Sequence, residues 1–108
     1  MSEPKHPIIE WGVDRAVKVA IILALLEKFG FLSRGQIREL SEKMFGVKIT
    51  PAQTYNLLKL LSFYGYVKCG YKPRRVRGEK GAEITEKGRK MLKKMKKEID
   101  RISSILHS

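Results

Sequence analysis

The stretch from Thr50 to Gly65, TPAQTYNLLKLLSFYG, carries the side chains with the clearest chemical use. On a helix, its spacing places Gln53, Asn56 and Lys59 on one side, away from the apolar residues. Amide side chains can pair bidentately with an adenine edge in the major groove of DNA. We therefore predict that these three residues contact bases. The alternative is an ordinary amphipathic helix whose polar side faces solvent.

The second candidate site is the basic segment PRRVRGEKG with the lysine before it, where one proline and two glycines predict a turn. Arginine is favoured in a narrow minor groove by its negative potential, and phosphates bind the same side chains. Cations on one loop tip repel each other unless a polyanion neutralises them, so a solvated loop is the less favoured alternative. The predicted contacts to DNA backbone or minor groove here are Lys72, Arg74, Arg75, Arg77 and Lys80.

Further contacts to the DNA backbone are predicted on the first candidate helix and on the helix before it. They are Thr50, Tyr55, Arg34 and Arg38. Tyr55 can donate its hydroxyl to a phosphate or pack against the preceding helix. The two arginines can equally belong to a solvated helix face.

The charge of the chain supports a polyanionic partner. The formal net charge is +12, and the segment from Lys68 to Lys97 holds 13 basic and three acidic residues, a net charge of +10. Charge gathered in one segment favours a binding surface over general solubility. The net charge is an argument about association with a partner and says nothing about the fold.

Several kinds of chemistry are excluded by what the sequence lacks. A single cysteine, Cys69, rules out an internal disulfide and a multi-cysteine metal site, and its strand-like neighbours predict a small buried side chain. His6 and His107 form no pair with a carboxylate or serine at catalytic spacing. No Gly-rich phosphate loop or metal-ligand cluster is present. We predict no catalytic residues, no metal, no cofactor and no enzymatic activity.

Neither a membrane nor an export route is predicted. The longest apolar run, from Val19 to Leu26, is short compared with the roughly 20 residues that a bilayer span needs. The N-terminus lacks the basic start and the cleavage site of a signal peptide. The expectation is a cytoplasmic protein.

Three helices with marked ends precede the basic segment. The first is predicted from Asp14, a plausible cap, to Phe29. The second begins with a capping box, Ser33 with Gln36, and ends at Gly46. Its inward-facing residues are predicted to be Ile37, Leu40 and Met44. The third has the same capping box, Thr50 with Gln53, and ends at Gly65. Two capped helices joined this tightly predict a helix-turn-helix-like unit.

A β-hairpin and a final helix follow. The strands are predicted at residues 66–72 and 82–85, with the basic segment between them. Thr85 then caps a helix that runs to about Leu106. Ahead of the first helix, residues 1–12 are predicted to form an extended arm, whose apolar residues, with Trp11, dock on the domain or on a second subunit.

Two stretches, TYNLLKLLSFYGYV and AEITEKGRKML, resemble winged-helix DNA-binding regulators, especially PadR-like and MarR-like proteins. The resemblance covers roughly residues 13–95. It implies a mainly α fold with a small β-hairpin wing, a third helix that enters the major groove, and a wing that reaches a neighbouring minor groove or the backbone. Leu60 and Phe63 depart from it, since similar proteins usually carry solvated residues there. The ligand-sensing region of PadR-like proteins is not identifiable, so a small-molecule effector stays unknown.

The predicted organisation is an arm (1–12), a winged helix-turn-helix domain (13–85) and an added C-terminal helix for dimerisation (86–108). The last helix carries apolar residues spaced 3, 4, 3 and 4 apart, a heptad seam. The chain's own first helix or the same helix of a second subunit can cover it, and we favour a two-fold homodimer. The predicted dimerisation residues are Leu92, Met95, Ile99, Ile102 and Leu106.

Two functions follow from these residues. The first is a sequence-specific regulator of transcription, a dimeric repressor bound to double-stranded DNA, which the polar face around Gln53 and Asn56 favours. The second is an architectural protein that coats DNA with little sequence preference, which the high charge favours. A protein-interaction module is a weaker third alternative, because one fold can serve several functions.

Overall fold

The computed structural model describes residues 3–71 and 80–106, which form five helices and three short strands. Their order is the predicted one, with two additions, a short helix in the arm and a strand before the second predicted helix. The elements are α1 Pro7–Trp11, α2 Val13–Phe29, β1 Leu32–Ser33, α3 Arg34–Phe45, α4 Pro51–Phe63, β2 Val67–Tyr71, β3 Lys80–Ile84 and α5 Glu86–Leu106. No helix in this part of the chain is both long and apolar enough to span a membrane.

Helix α2 is the centre of the core, as its nearly continuous apolar surface predicts. Val19, Ile22 and Leu23 have no exposed surface, and the helix contacts α1, α3, α5 and β3. Its start differs from the prediction that Asp14 is the cap. The helix begins one residue earlier, at Val13, after Gly12. Asp14 lies inside the first turn, where its charge suits the helix dipole and pairs with Lys18 at 3.1 Å.

Both predicted capping boxes are present. At the start of α3 the Ser33 hydroxyl accepts from the Gln36 N–H, and the Gln36 side chain accepts from the Ser33 N–H. Thr50 and Gln53 form the same pair of bonds, each 3.1 Å, at the start of α4. The sequence therefore defines where both helices begin, and so how their first turns face the surface.

One inward position of α3 is predicted wrongly. Ile37 is fully buried and Leu40 half-buried, as expected, but Met44 is 43% exposed. The chain leaves the helix at Gly46, in the left-handed conformation, immediately after Met44 and Phe45. Near this end the inward residue is Ser41, whose buried hydroxyl donates to the Val47 carbonyl at 2.8 Å.

The sheet has the strand order β1-β3-β2 and is antiparallel throughout. Val67 pairs with Ile84 at one end of the predicted hairpin, and Tyr71 pairs with Lys80 at the other. β1, which has only two residues, pairs with the other edge of β3. It is too short to be recognised from sequence. It passes close to Gly81, where a side-chain carbon would lie 2.1 Å from the Leu32 carbonyl oxygen.

Helix α5 has a covered half and a bare half. Thr85 caps it as predicted, because its hydroxyl accepts from the Gly88 N–H at 3.1 Å. Gly88 packs so closely on the strand entrance that an added side-chain carbon would lie 2.1 Å from the Tyr66 carbonyl oxygen. Leu92 and Met95 are buried in the chain's own core. The protomer itself thus covers two of the five residues predicted for dimerisation.

Residues Pro7–Trp11 of the arm form the helix α1, which corrects the prediction of an extended arm for this part of the chain. Pro7 fixes the backbone at the start of α1, and the Glu10 carboxylate accepts from the His6 N–H at 2.7 Å. The arm docks on its own domain. Glu98 of α5 accepts from the Ile8 N–H at 3.1 Å, and the Trp11 ring lies 6.2 Å from the Tyr64 ring.

Candidate nucleic-acid interface

Helix α4 divides into a packed face and an exposed face. Thr54, Leu57, Leu58 and Leu61 are buried against the core. Asn56 and Lys59 are exposed on the opposite side. The Thr54 hydroxyl donates to the Thr50 carbonyl at 2.9 Å, which satisfies the buried polar group. Two of the three residues predicted to contact bases are thus accessible on one helix face.

Gln53 is differently placed from Asn56. Its side-chain oxygen already accepts a hydrogen bond from the Thr50 N–H. A bidentate pair with adenine needs the amide oxygen and the amide nitrogen together. The capping box therefore competes with base reading at Gln53, whereas the Asn56 amide is exposed.

Three basic side chains converge beside the starts of α3 and α4. Arg34 and Arg38 of α3 and Lys80 of β3 line a groove of about 530 Å³, together with Ser33, Gly35 and Pro51. Within residues 3–71 and 80–106, neither arginine has an acidic partner at salt-bridge distance. The groove unites residues from distant parts of the sequence, because β1 joins the start of α3 to β3.

A second groove, of about 350 Å³, adjoins the first through Arg34 and Lys80. Tyr55, Lys59 and Leu58 of α4 form one wall, and Cys69 and Gly70 of β2 form the other. Tyr55 is 52% exposed, so its hydroxyl can reach a ligand in this groove. The two grooves form a continuous surface from the start of α3 to the exposed face of α4.

Cys69 is exposed in this groove, which corrects the prediction of a buried side chain. The strand leaves the core at this point, so the residue faces α4 only in part, with its sulfur 3.9 Å from the Leu58 carbonyl. Partial burial raises the pKa of the Cys69 thiol, and the Ser62 hydrogen bond and the Arg34 charge oppose that rise. The raised pKa favours the neutral thiol, which is a weak nucleophile.

The remaining site predictions divide into two groups. In the capping box the Thr50 hydroxyl oxygen accepts a hydrogen bond, so its O–H can still donate to another acceptor. Lys72, Arg74, Arg75 and Arg77 lie outside the described residues.

Among the residues described, no cluster of His, Cys, Asp and Glu is arranged to hold a metal ion.

No protein-family model and no curated protein matches the chain. Solved structures do match. A transcriptional regulator from Clostridium thermocellum has a TM-score of 0.78 and 23% identity, covering 88% of this chain and 91% of its own. The winged-helix DNA-binding protein F93 from STIV has a TM-score of 0.67 and 23% identity, covering 80% and 90%. The chain has a winged-helix fold.

A PadR-like transcription factor from Bacteroides fragilis has the same arrangement, with a TM-score of 0.75 over 92% of this chain and 95% of its own. Its identity of 14% is low, so the likeness concerns the fold. In winged-helix terms, α3 and α4 are the helix-turn-helix pair, and the β2–β3 hairpin is the wing. The predicted resemblance and fold class are confirmed.

Proposed function

We propose that this winged-helix protein binds double-stranded DNA and regulates transcription. The observation that carries the proposal is the continuous surface on which the exposed face of α4 adjoins Arg34, Arg38 and Lys80. Cations around an exposed helix match the phosphates that border a major groove. The similar structures support this function, since they include transcriptional regulators and a DNA-binding protein.

In this proposal α4 lies in the major groove. Asn56 pairs with an adenine edge, Lys59 contacts a neighbouring base, and Gln53 contributes only its amide nitrogen while it caps the helix. Arg34 and Arg38 bind phosphates beside the start of α3. The other predicted backbone or minor-groove contacts are Thr50, Tyr55, Lys80 and, on the wing, Lys72, Arg74, Arg75 and Arg77.

We also propose that the protein acts as a homodimer. The bare half of α5 and the start of α2 enclose an apolar groove of about 390 Å³, with Val13 and Val17 on one side. On the other side it is lined by Ile99, Ile102 and Leu106. Exposed apolar residues gathered in one place mark interaction surfaces. A two-fold dimer presents two reading helices, so the target is an inverted repeat whose half-sites lie about one helical turn apart.

The test of DNA binding is selection from random duplexes at physiological salt, followed by affinity measurements across salt concentrations. Neutralising about six phosphates gives a slope of log K against log salt of about −5. Replacing Arg34 and Arg38 by alanine should flatten the slope by about two and weaken all sequences alike. The control, Arg15 and Lys28 to alanine, removes two charges from α2 and should leave the slope unchanged. Affinity that is independent of salt would contradict the proposal.

The test of sequence-specific reading is Asn56→Ala. The loss of a bidentate base contact costs about 1–3 kcal/mol on the selected site and little on random DNA. Equal losses on both would make Asn56 a backbone contact. A selection that does not converge on any sequence would support the architectural, DNA-coating function instead.

A further inference from the structure

Two apolar side chains interrupt the exposed face of α4. Phe63 is 68% exposed, and Leu60 is half-buried beside it. With Asn56 and Lys59 they line one shallow depression of about 330 Å³. The face that carries the proposed base contacts therefore becomes apolar toward the end of the helix.

The exposed ring of Phe63 is held in place by its neighbours. Its centroid lies 5.6 Å from that of Tyr64, edge to face at 81°. Tyr64 stacks on Tyr66 at 5.4 Å and contacts Trp11 of the arm at 6.2 Å. Edge-to-face and stacked pairs stabilise fixed ring positions. Phe63 thus presents a positioned apolar surface to whatever approaches α4.

The size of this surface limits what can cover it. An aromatic side chain buries at most about 150–250 Å², whereas a stable protein interface needs about 800 Å² from each partner. The residues beside it, Asn56 and Lys59, are polar or charged. Two apolar side chains next to an amide and a cation suit the edge of a base pair, and the apolar group in the major groove is the C5-methyl of thymine.

We propose that Leu60 and Phe63 contact thymine C5-methyl groups and so determine part of the DNA sequence that the protein prefers. The inference rests on the proposed DNA binding. At about 1.5 Å per residue, Leu60 and Phe63 lie about 6 and 10 Å along the helix from Asn56. Base pairs are about 3.4 Å apart. The thymines therefore lie about two to three base pairs from the base that Asn56 reads.

The experiment uses the full chain and the duplex recovered by selection, with each thymine replaced in turn by uracil, which lacks only the methyl group. At one or two thymines the Kd should rise about fourfold, which corresponds to about 0.8 kcal/mol for one methyl-sized group. With Phe63→Ala or Leu60→Ala, the uracil effect at the corresponding thymine should disappear. Phe45→Ala, at the end of α3, is the matched control and should keep the effect. Circular dichroism verifies that each variant is folded.

Uracil tolerated at every thymine would overturn the inference, and so would an effect that persists in both variants. A selection that does not converge, or that finds no thymine near the selected adenine, would also overturn it. In these cases, binding that still weakens with salt preserves the proposed DNA binding. Absence of any salt-dependent DNA binding would contradict both the thymine contacts and the proposed DNA binding.

Discussion

The two halves of α5 carry one heptad pattern and have opposite surroundings. In the first half Met91, Leu92 and Met95 are buried against the winged domain. In the second half Ile99 is 47% exposed and Leu106 is 76% exposed. A heptad pattern therefore indicates that a helix stripe is to be covered, but it does not say by which partner.

The boundary between the halves lies where the hydrogen bonds from the arm to α5 end, among the residues that the structure describes. Lys94 donates to the Pro4 carbonyl at 2.8 Å, and Glu98 accepts from the Ile8 N–H. Beyond Glu98, the apolar groove separates α5 from α2, and Ile8 of the arm lines the groove together with Val13 and Val17. The first half thus belongs to the core of the protomer, while the second half is the surface on which the proposed homodimer would form.

The largest expected effect is on the covered half. Met95→Ala should lower the free energy of unfolding by about 2–5 kcal/mol, because it leaves a cavity between α5 and the core. Urea denaturation at a concentration where the protein is monomeric measures this loss. Leu106→Ala, in the bare half, is the control and should change stability by less than about 0.5 kcal/mol. Equal losses would abolish the distinction between the halves.

The next effect is on association. Ile99→Glu places a charge in the apolar groove, so light scattering should find monomers where the wild type is dimeric, with the protomer still folded. Affinity for a full inverted repeat should fall at least about tenfold, by about 1.4 kcal/mol or more, while affinity for a half-site is unchanged. Ser104→Glu adds the same charge on an exposed position of α5 and should leave the dimer intact. A wild type that is monomeric at micromolar concentration would show that the bare half has no such partner.

Near neutral pH the smallest effect is that of Tyr66, which packs beneath the covered half. Its ring lies 5.6 Å from the Lys87 Nζ, and its buried hydroxyl has no hydrogen-bond partner among the described residues. Burial, with the charges of Glu3 and Tyr64, raises the pKa of Tyr66 to about 12. The native state therefore binds the phenol proton more tightly than the unfolded state does. The resulting contribution to the free energy of unfolding is complete below pH 10 and is lost as the pH rises towards 12.

Tyr66→Phe should remove that pH dependence. Near neutral pH the variant should differ from the wild type by less than about 1 kcal/mol, because the lost hydroxyl makes no hydrogen bond. The measurement is the difference between the two unfolding free energies at several pH values from 9 to 12, which cancels the other tyrosines and the lysines. A difference that stays constant over this range would mean that Tyr66 titrates normally.

Local signals in the sequence predicted the fold well. The capping boxes at Ser33 and Thr50 define two helices through hydrogen bonds between residues three apart, so they can be read without tertiary information. β1 could not be predicted, because its two residues become a strand only by pairing with β3. The helix in the arm was missed for a similar reason, since five residues are too few for a periodic pattern.

The candidate site was predictable in composition but not in geometry. Asn56 and Lys59 follow from helical spacing alone. That Arg34 and Lys80 share a groove depends on β1. The engagement of the Gln53 oxygen, in contrast, follows from the predicted capping box. Which half of the α5 seam is covered depends on α2 and the arm, so the sequence pattern marked Met95 and Ile99 as equivalent.

The capping box of α4 bears on how the protein can acquire new targets in evolution. Gln53 contributes to the start of the helix, so a substitution there alters stability together with the proposed contact of its amide nitrogen with DNA. Asn56, Lys59 and Phe63 are exposed and outside the core, so they can change with little effect on the fold. Changes in target preference within a lineage of such proteins should therefore accumulate along the middle and end of α4, while its first turn varies slowly.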